Sequence, residues 1–340
     1  MRLRCSFVAA ALLFGAAAAG AQDIDGRVAV GAKIKEARER ARSYQGRGTE
    51  QTERFSRKVR VGRDGRVSIS NISGDITVTA GSGDEASIEA VKKTRGDRDE
   101  LGRVQIVVED HAGHVDVHTD HTGRNDRVSV DYTVTVPPGA SLELASVSGS
   151  IKVSGVKGSV RATSVSGSVT TTDTPKLESA KSTSGNISIG GISGDGDLNA
   201  GSVSGNVTVR GVKARGVELG SVSGDVVVSD AACDRFSAKS VSGSLEYAGA
   251  VSKGGVYEMN SHSGAIRLTL SNPAGFYLNA NSFSGSIRTD LPITIGGDTN
   301  RGDSSRRRGI NQHEIRGVYG DGSATLTLRT FSGSIVIEKR

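Results

Sequence analysis

The phrase Ser-Val-Ser-Gly-Ser-Ile-Lys-Val, from Ser146 to Val153, constrains the fold of this chain more than any other feature, because it keeps returning. Its glycines are Gly149, Gly167, Gly185, Gly205, Gly224, Gly243, Gly264 and Gly285, spaced by 18, 18, 20, 19, 19, 21 and 21 residues. Gly74, far upstream, and Gly333, near the C-terminus, carry the same phrase. A fixed period near 20 residues marks a solenoid, in which each repeat is one coil stacked on the next.

Apolar residues recur at positions −7, −5, −2, +2 and +4 from each glycine. Around Gly224 these are Val217, Leu219, Val222, Val226 and Val228; around Gly333 they are Leu326, Leu328, Phe331, Ile335 and Ile337. Steps of two are strand periodicity, and the step of three between −5 and −2 reads as a bend between two strands. The expected inward set is therefore these five positions, so that Val222→Asp should bury an unpaired charge. Serines at −3 and −1 are expected to point outward as a flat polar face. Glu178 breaks the inward rule at −7 of the Gly185 coil, and a register slip near Pro175 is expected to turn Leu177 inward instead.

The glycine is read as a corner able to take backbone angles closed to other residues, helped by the turn formers Asp75, Asn186, Asn206 and Asp225 directly after it. A phosphate-binding glycine loop would lead into a helix, whereas a strand follows here. One coil cannot stand alone. Five buried aliphatics contribute roughly 1.5–3 kcal/mol each, less than the backbone entropy of a whole coil at roughly 1–2 kcal/mol per residue. Stability must come from stacking. The composition agrees, with 4% aromatics and no Trp, as a narrow aliphatic core requires.

Met1 to Ala21 reads as a secretory signal peptide: Arg2 and Arg4, an apolar run from Phe7, and Ala-Gly-Ala before Gln22. Residues 22–54 read as a basic linker with a possible short helix at Lys33 to Arg42. Residues 55–140 read as a β-rich N-terminal section of the solenoid, and 141–340 as the repeats, with a long polar insertion at 290–322. If the leader is removed, Cys233 is the lone cysteine, so the fold does not rest on a disulfide. Cys233 reads as a small core residue. No transmembrane segment is expected in the mature chain.

Candidate chemistry is sparse. Four of the six histidines fall between His111 and His121. In a strand, His114, Asp116 and His118 project to one face, where imidazole and carboxylate donors suit a divalent metal such as Zn or Cu. The polar face of a surface hairpin would look the same. No other cofactor and no catalytic residue is implied, and His262 reads as a packing or end-of-stack residue. Basic residues cluster at Arg301 and at Arg306 to Arg308, and Arg301-Gly-Asp303 is read as a chance tripeptide. The overall balance of 43 basic against 37 acidic residues is modest, and no aromatics interleave with the basic clusters, so nucleic acid is not an expected partner.

The run Tyr132-Thr-Val-Thr-Val-Pro-Pro-Gly139-Ala-Ser-Leu, the repeated Val-Ser-Gly phrase and the closing Gly322 to Ile337 resemble the DUF4097 family of candidate bacterial adhesins. The resemblance covers about Phe55 onward and implies an exported bacterial β-solenoid without a defined catalytic site. The expected function is a non-enzymatic adhesin or cell-envelope scaffold, periplasmic or at the cell surface, presenting a Ser/Thr-rich face to polysaccharide or protein. Two alternatives are a β-helical polysaccharide lyase or hydrolase and a bactofilin-like polymerising rod. Acids and bases clustered in one groove would favour the enzyme. Open, uncharged end coils would favour the rod, which the charged Glu338-Lys339-Arg340 terminus opposes.

Overall fold

A computed structural model of the chain describes residues 50–111, 113–122, 127–271, 273–295 and 313–340. The leader, residues 22–49 of the basic segment, and the clusters at Arg301-Gly-Asp303 and Arg306 to Arg308 lie outside these residues. From Glu50 to Arg340 the chain forms one all-β unit.

The N-terminal strands are β1 (Gln51–Arg60), β2 (Arg66–Ser73), β3 (Ile76–Ala80), β4 (Glu85–Thr94), β5 (Val104–His111), β6 (His114–His121) and β7 (Val128–Val136), with a 3-10 turn at Arg98–Arg103. The repeats supply β8 (Ser141–Ser148), β9 (Ile151–Ser154), β10 (Val160–Ser164), β11 (Val169–Thr172), β12 (Leu177–Ser182), β13 (Ile187–Ser193) and β14 (Asp197–Ser202). They continue as β15 (Val207–Ser221), β16 (Val226–Ser240), β17 (Leu245–Gly249), β18 (Val256–Ser261), β19 (Ile266–Leu270), β20 (Phe276–Ser282) and β21 (Ile287–Thr289). The chain closes with β22 (Glu314–Tyr319), β23 (Ala324–Thr330) and β24 (Ile335–Lys339).

Each coil gives one strand to each of two parallel layers. The first layer runs β6, β2, β8, β10, β12, β14, then the second halves of β15 and β16, then β18, β23 and β20. The second runs β7, β3, β9, β11, β13, the first halves of β15 and β16, then β17, β19, β24 and β21. Antiparallel strands finish the layers: β5 on β6, β4 and then β1 on β7, and β22 on β20. β1 begins at Gln51, within the stretch read as linker. Among the described residues no helix is long and apolar enough to cross a membrane.

The inward register differs from the expected one at two adjacent positions, which exchange roles. Position −2 faces solvent: Ile72, Val147, Val165, Val203, Val222 and Val241 are 43–50% exposed. Position −3 faces the core instead, and Ser146, Ser164, Ser182, Ser202, Ser221, Ser240, Ser261, Ser282 and Thr330 are all buried. The step of two thus runs unbroken through −7, −5 and −3, and the bend follows it.

Burial of these hydroxyls is offset by their bonds. Ser182 Oγ donates to the Gly167 carbonyl at 2.9 Å and accepts the Gly185 N–H at 2.9 Å. The same pair of bonds is made by Ser202, Ser221 and Ser240. The outward bonds of Ser164, Ser261, Thr330 and Ser282 extend the ladder across the coils. At one end Asn71 takes the serine's place, its Nδ2 donating to the carbonyls of Gly74 at 2.9 Å and Val130 at 2.8 Å. At the other end His313 Nδ1 donates to the Gly285 carbonyl at 2.8 Å, where the next coil's serine would have reached. Ser146 Oγ is left without a partner, since Asn71 already holds Gly74.

The corner glycines are required by space more than by backbone angle. Among the ten only Gly74 has positive φ, at 110°. A Cβ on Gly224 would strike the Gly205 carbonyl, and the same clash recurs up the column from Gly149 against Gly74 to Gly285 against Gly333.

Stacking order departs from chain order at the C-terminal end. The Gly333 coil lies between the Gly264 and Gly285 coils, with β23 between β18 and β20 and β24 between β19 and β21. Glu338 and Lys339 therefore lie on the second strand from the end, where β21 covers β24 only as far as Ile337. The polar insertion at 290–322 is not structureless throughout, because it contributes β22 and the buried Leu291. The expected slip is present. Val160 pairs with Leu177 and Arg161 with Ser179, so Glu178 bulges out and Leu177 is 3% exposed.

The revised register predicts opposite outcomes for two neighbouring valines. Val226→Asp, at a site 1% exposed, should cost on the order of 3–5 kcal/mol. Val222→Asp should change the stability of the single chain by no more than about 0.5 kcal/mol in thermal unfolding at high dilution.

Candidate functional site

Three surface features could carry function: the column of corners, the opposite return edge, and the histidine strand. At the corners, position −2 forms a line that is apolar except at Thr183 and ends in stacked rings. His262 lies 4.9 Å from Phe331 at an interplanar angle of 10°, and Phe331 lies 4.7 Å from Phe283 at 6°. Phe283 is 69% exposed. His262 thus serves as a stacking residue in the third coil from this end.

The corner acids are engaged in structure. Asn186 Oδ1 accepts the Asn206 N–H, Asn206 Oδ1 accepts that of Asp225, and Asp225 Oδ1 accepts that of Ser244, at 2.8–2.9 Å. Asp75 Oδ1 likewise accepts the Ser150 N–H at 2.8 Å. These side chains rise one coil each, tying corner to corner. Their pattern in the sequence suggested a turn, and it is a turn shared between neighbouring coils.

On the return edge the arcs differ in length. Thr171 to Leu177 is three residues shorter than the next arc, Ile189 to Leu198, and the step between them is a groove of about 610 Å³ lined by Leu177, Glu178, Ile192, Asp195, Asp197 and Ala214. A second groove of about 460 Å³ continues past Asp197 and Leu198 to Glu218, Arg235 and Val256. Acids and bases meet here. Glu178 accepts from Ser159 and from Arg161 Nε at 2.8 Å, and these bonds hold its carboxyl below the usual range. Asp197 takes Arg215 at 3.3 Å and Arg235 at 3.5 Å and is likewise lowered, chiefly by Arg215. Sequence reasoning missed this cluster. Its one visible signal was the irregular arc at Pro175.

Further along the same edge, longer arcs are filled by rings: Phe236 and Tyr247 centroids are 4.7 Å apart, and Tyr247 and Tyr257 centroids 5.8 Å. Tyr257 Oη donates to the Cys233 carbonyl. Cys233 is 2% exposed, and burial pushes its thiol up to about 11.

On β6, His114, Asp116 and His118 are half-buried and alternate with the buried Val115 and Val117, so all three face outward. His114 Nε2 meets Asp116 Oδ1 at 3.0 Å, while His118 pairs across to Val107 and Ser70. Among the described residues no group of three His, Cys, Asp or Glu side chains is gathered into a metal site.

Cys233 gives a direct check on this packing. In a chain carrying Cys5→Ser, thiol reagents at pH 8 should label Cys233 only as fast as the protein unfolds, because the buried thiol is almost wholly protonated there. Complete labelling before unfolding would contradict its placement.

None of the curated proteins matches this chain. Similar solved structures include a candidate adhesin from Bacteroides fragilis NCTC 9343, at 12% identity and TM-score 0.40, covering 85% of this chain and 97% of that one. Another is a candidate lipid-binding protein from Parabacteroides distasonis ATCC 8503, at 12% identity and TM-score 0.45, with the same coverage of 85% and 97%. The family described as Toastrack DUF4097 matches residues 65–338, a span that includes all ten glycine corners from Gly74 to Gly333, and the chain belongs to that family.

Proposed function

We propose that the chain is an exported, non-enzymatic adhesin or cell-envelope scaffold that acts by presenting one repeated surface to polysaccharide or protein. The observation that carries this reading is where the reactive groups go. Corner carboxylates bond neighbouring backbone, Cys233 is buried, and the serines three residues before the corner glycines pin the stack. What remains exposed is repetition: a mostly apolar line along the corners, interrupted by Thr183 and His262, exposed serines at −1, and outward Thr77, Thr170, Ser188 and Thr208 on the second layer. Such a surface offers many equivalent weak contacts, which add up when a partner is itself repetitive.

A polysaccharide-acting enzyme is favoured only by the acids and arginines of the return-edge grooves. Glycoside hydrolysis needs one carboxyl that keeps its proton near neutral pH. Glu178 and Asp197 are shifted the other way by their arginines.

The test is retention of the purified protein on an array of envelope and extracellular glycans, with and without EDTA, alongside an assay of the glycans afterwards. The expected result is binding that EDTA does not abolish and glycans that come through intact. Release of reducing or unsaturated sugar ends would contradict the non-enzymatic reading. EDTA-sensitive binding lost on His114→Ala would move the site to the histidine strand.

A further inference from the structure

We propose that two copies of this chain associate side by side through the glycine corner, the valine ridge of each seated in a glycine trough of the other. The ridge runs across ten coils, with Ile or Val in six of them, the Phe331 and Phe283 rings in two at one end, and Thr183 and His262 at the same position in the remaining two. Its −2 and −1 positions contain no Asp, Glu, Lys or Arg, although the chain as a whole carries a formal charge of +6. At about 4.8 Å per coil it is about 43 Å long. A strip of that length need be under about 20 Å wide to reach the roughly 800 Å² per partner of a specific interface. The −2 side chains, with Val203, Val222 and Val241 43–46% exposed, form a narrow apolar strip edged by the −1 serines.

The trough lies beside the ridge. Gly201 and Gly220 occupy outward positions on β14 and β15 just before the corner, and they pair with each other. Packing within the chain does not require glycine at 220, because a Cβ there would meet nothing nearer than the Lys239 carbonyl at 3.9 Å. This contrasts with Gly224, four residues on, where a Cβ has no room. The missing side chains at 201 and 220 leave a recess next to Val203 and Val222, which are 45% and 43% exposed.

Ridge and trough on one chain are self-complementary. A two-fold axis parallel to the solenoid lets both ridges enter both troughs at once, as an isologous interface requires. Only a partner with the same repeat meets every valine at the same height, and a second copy has that repeat by construction. An added peptide strand is a poor occupant, because backbone groups at the corner are already bonded from coil to coil, with Val222 N–H on the Val203 carbonyl at 3.2 Å and Ser242 N–H on the Val222 carbonyl at 2.8 Å. Charge agrees as well. Lys239 walls the trough beside Gly220, and Glu246 lies just past the corner of the same coil. Neither has an ion partner among the described residues, and the two-fold sets Lys239 of one copy toward Glu246 of the other.

Analytical ultracentrifugation of the full chain across a concentration series reads this directly. The expected mass rises from one chain to two. Gly220→Leu and Val222→Lys should each weaken association about tenfold or more with circular dichroism unchanged. Lys239→Glu should weaken it, and adding Glu246→Lys should restore it. A one-chain mass at every concentration, or association untouched by Gly220→Leu and Val222→Lys, would overturn the proposal. If the protein stays single and these variants instead lose glycan retention, the corner belongs to the glycan and the self-association is wrong. Glycan retention unaffected by them leaves the adhesin reading standing by itself.

Discussion

A hydroxyl three residues before a glycine does two things that no apolar side chain in that slot could do. It caps the glycine's own N–H and reaches down to the carbonyl of the glycine one coil below. Both backbone groups sit at a tight corner, and among the described residues no other bond to them is recorded there. The glycine is needed for the same closeness, since any Cβ would collide with the carbonyl beneath it. Serine and glycine are therefore one device. The spacing Ser-x-x-Gly records it, and the second serine of the phrase, at −1, remains exposed.

Once the corners are fixed, the rest of each coil follows from alternation. Strands leaving the corner place +2 and +4 inward, strands entering it place −7, −5 and −3 inward, and the aliphatics there stack into one continuous core. Only the return arcs are free to vary. Where they lengthen, aromatic rings fill the space, and where one is short a groove opens. The ends obey the same logic, with Asn71 and His313 satisfying the first and last rungs.

The stacked solenoid and the slip at Glu178 were legible in the sequence because period and parity record them. The corner register was not read correctly. Counting apolar residues favours Val222 as the inward residue, but the unbroken step of two selects Ser221, and a buried serine is recognisable only once its two backbone partners are seen. The threading of the Gly333 coil between the Gly264 and Gly285 coils was illegible for a different reason: every coil presents the same edge, so the repeat cannot encode its own order. The acids of the return edge come together from different coils, Glu178 with Arg161 and Asp197 with Arg215 and Arg235, at distances along the chain that no local motif marks.

The central claim is that the −3 hydroxyl pins the stack, and the most direct measurement compares thermal unfolding of Ser221→Ala with that of Ser223→Ala. The first strands a buried N–H and a buried carbonyl, and should cost about 1–3 kcal/mol. The second removes an exposed hydroxyl and should fall within about 0.5 kcal/mol of the parent. Equal stabilities for the two variants, or a larger loss at Ser223, would contradict the account.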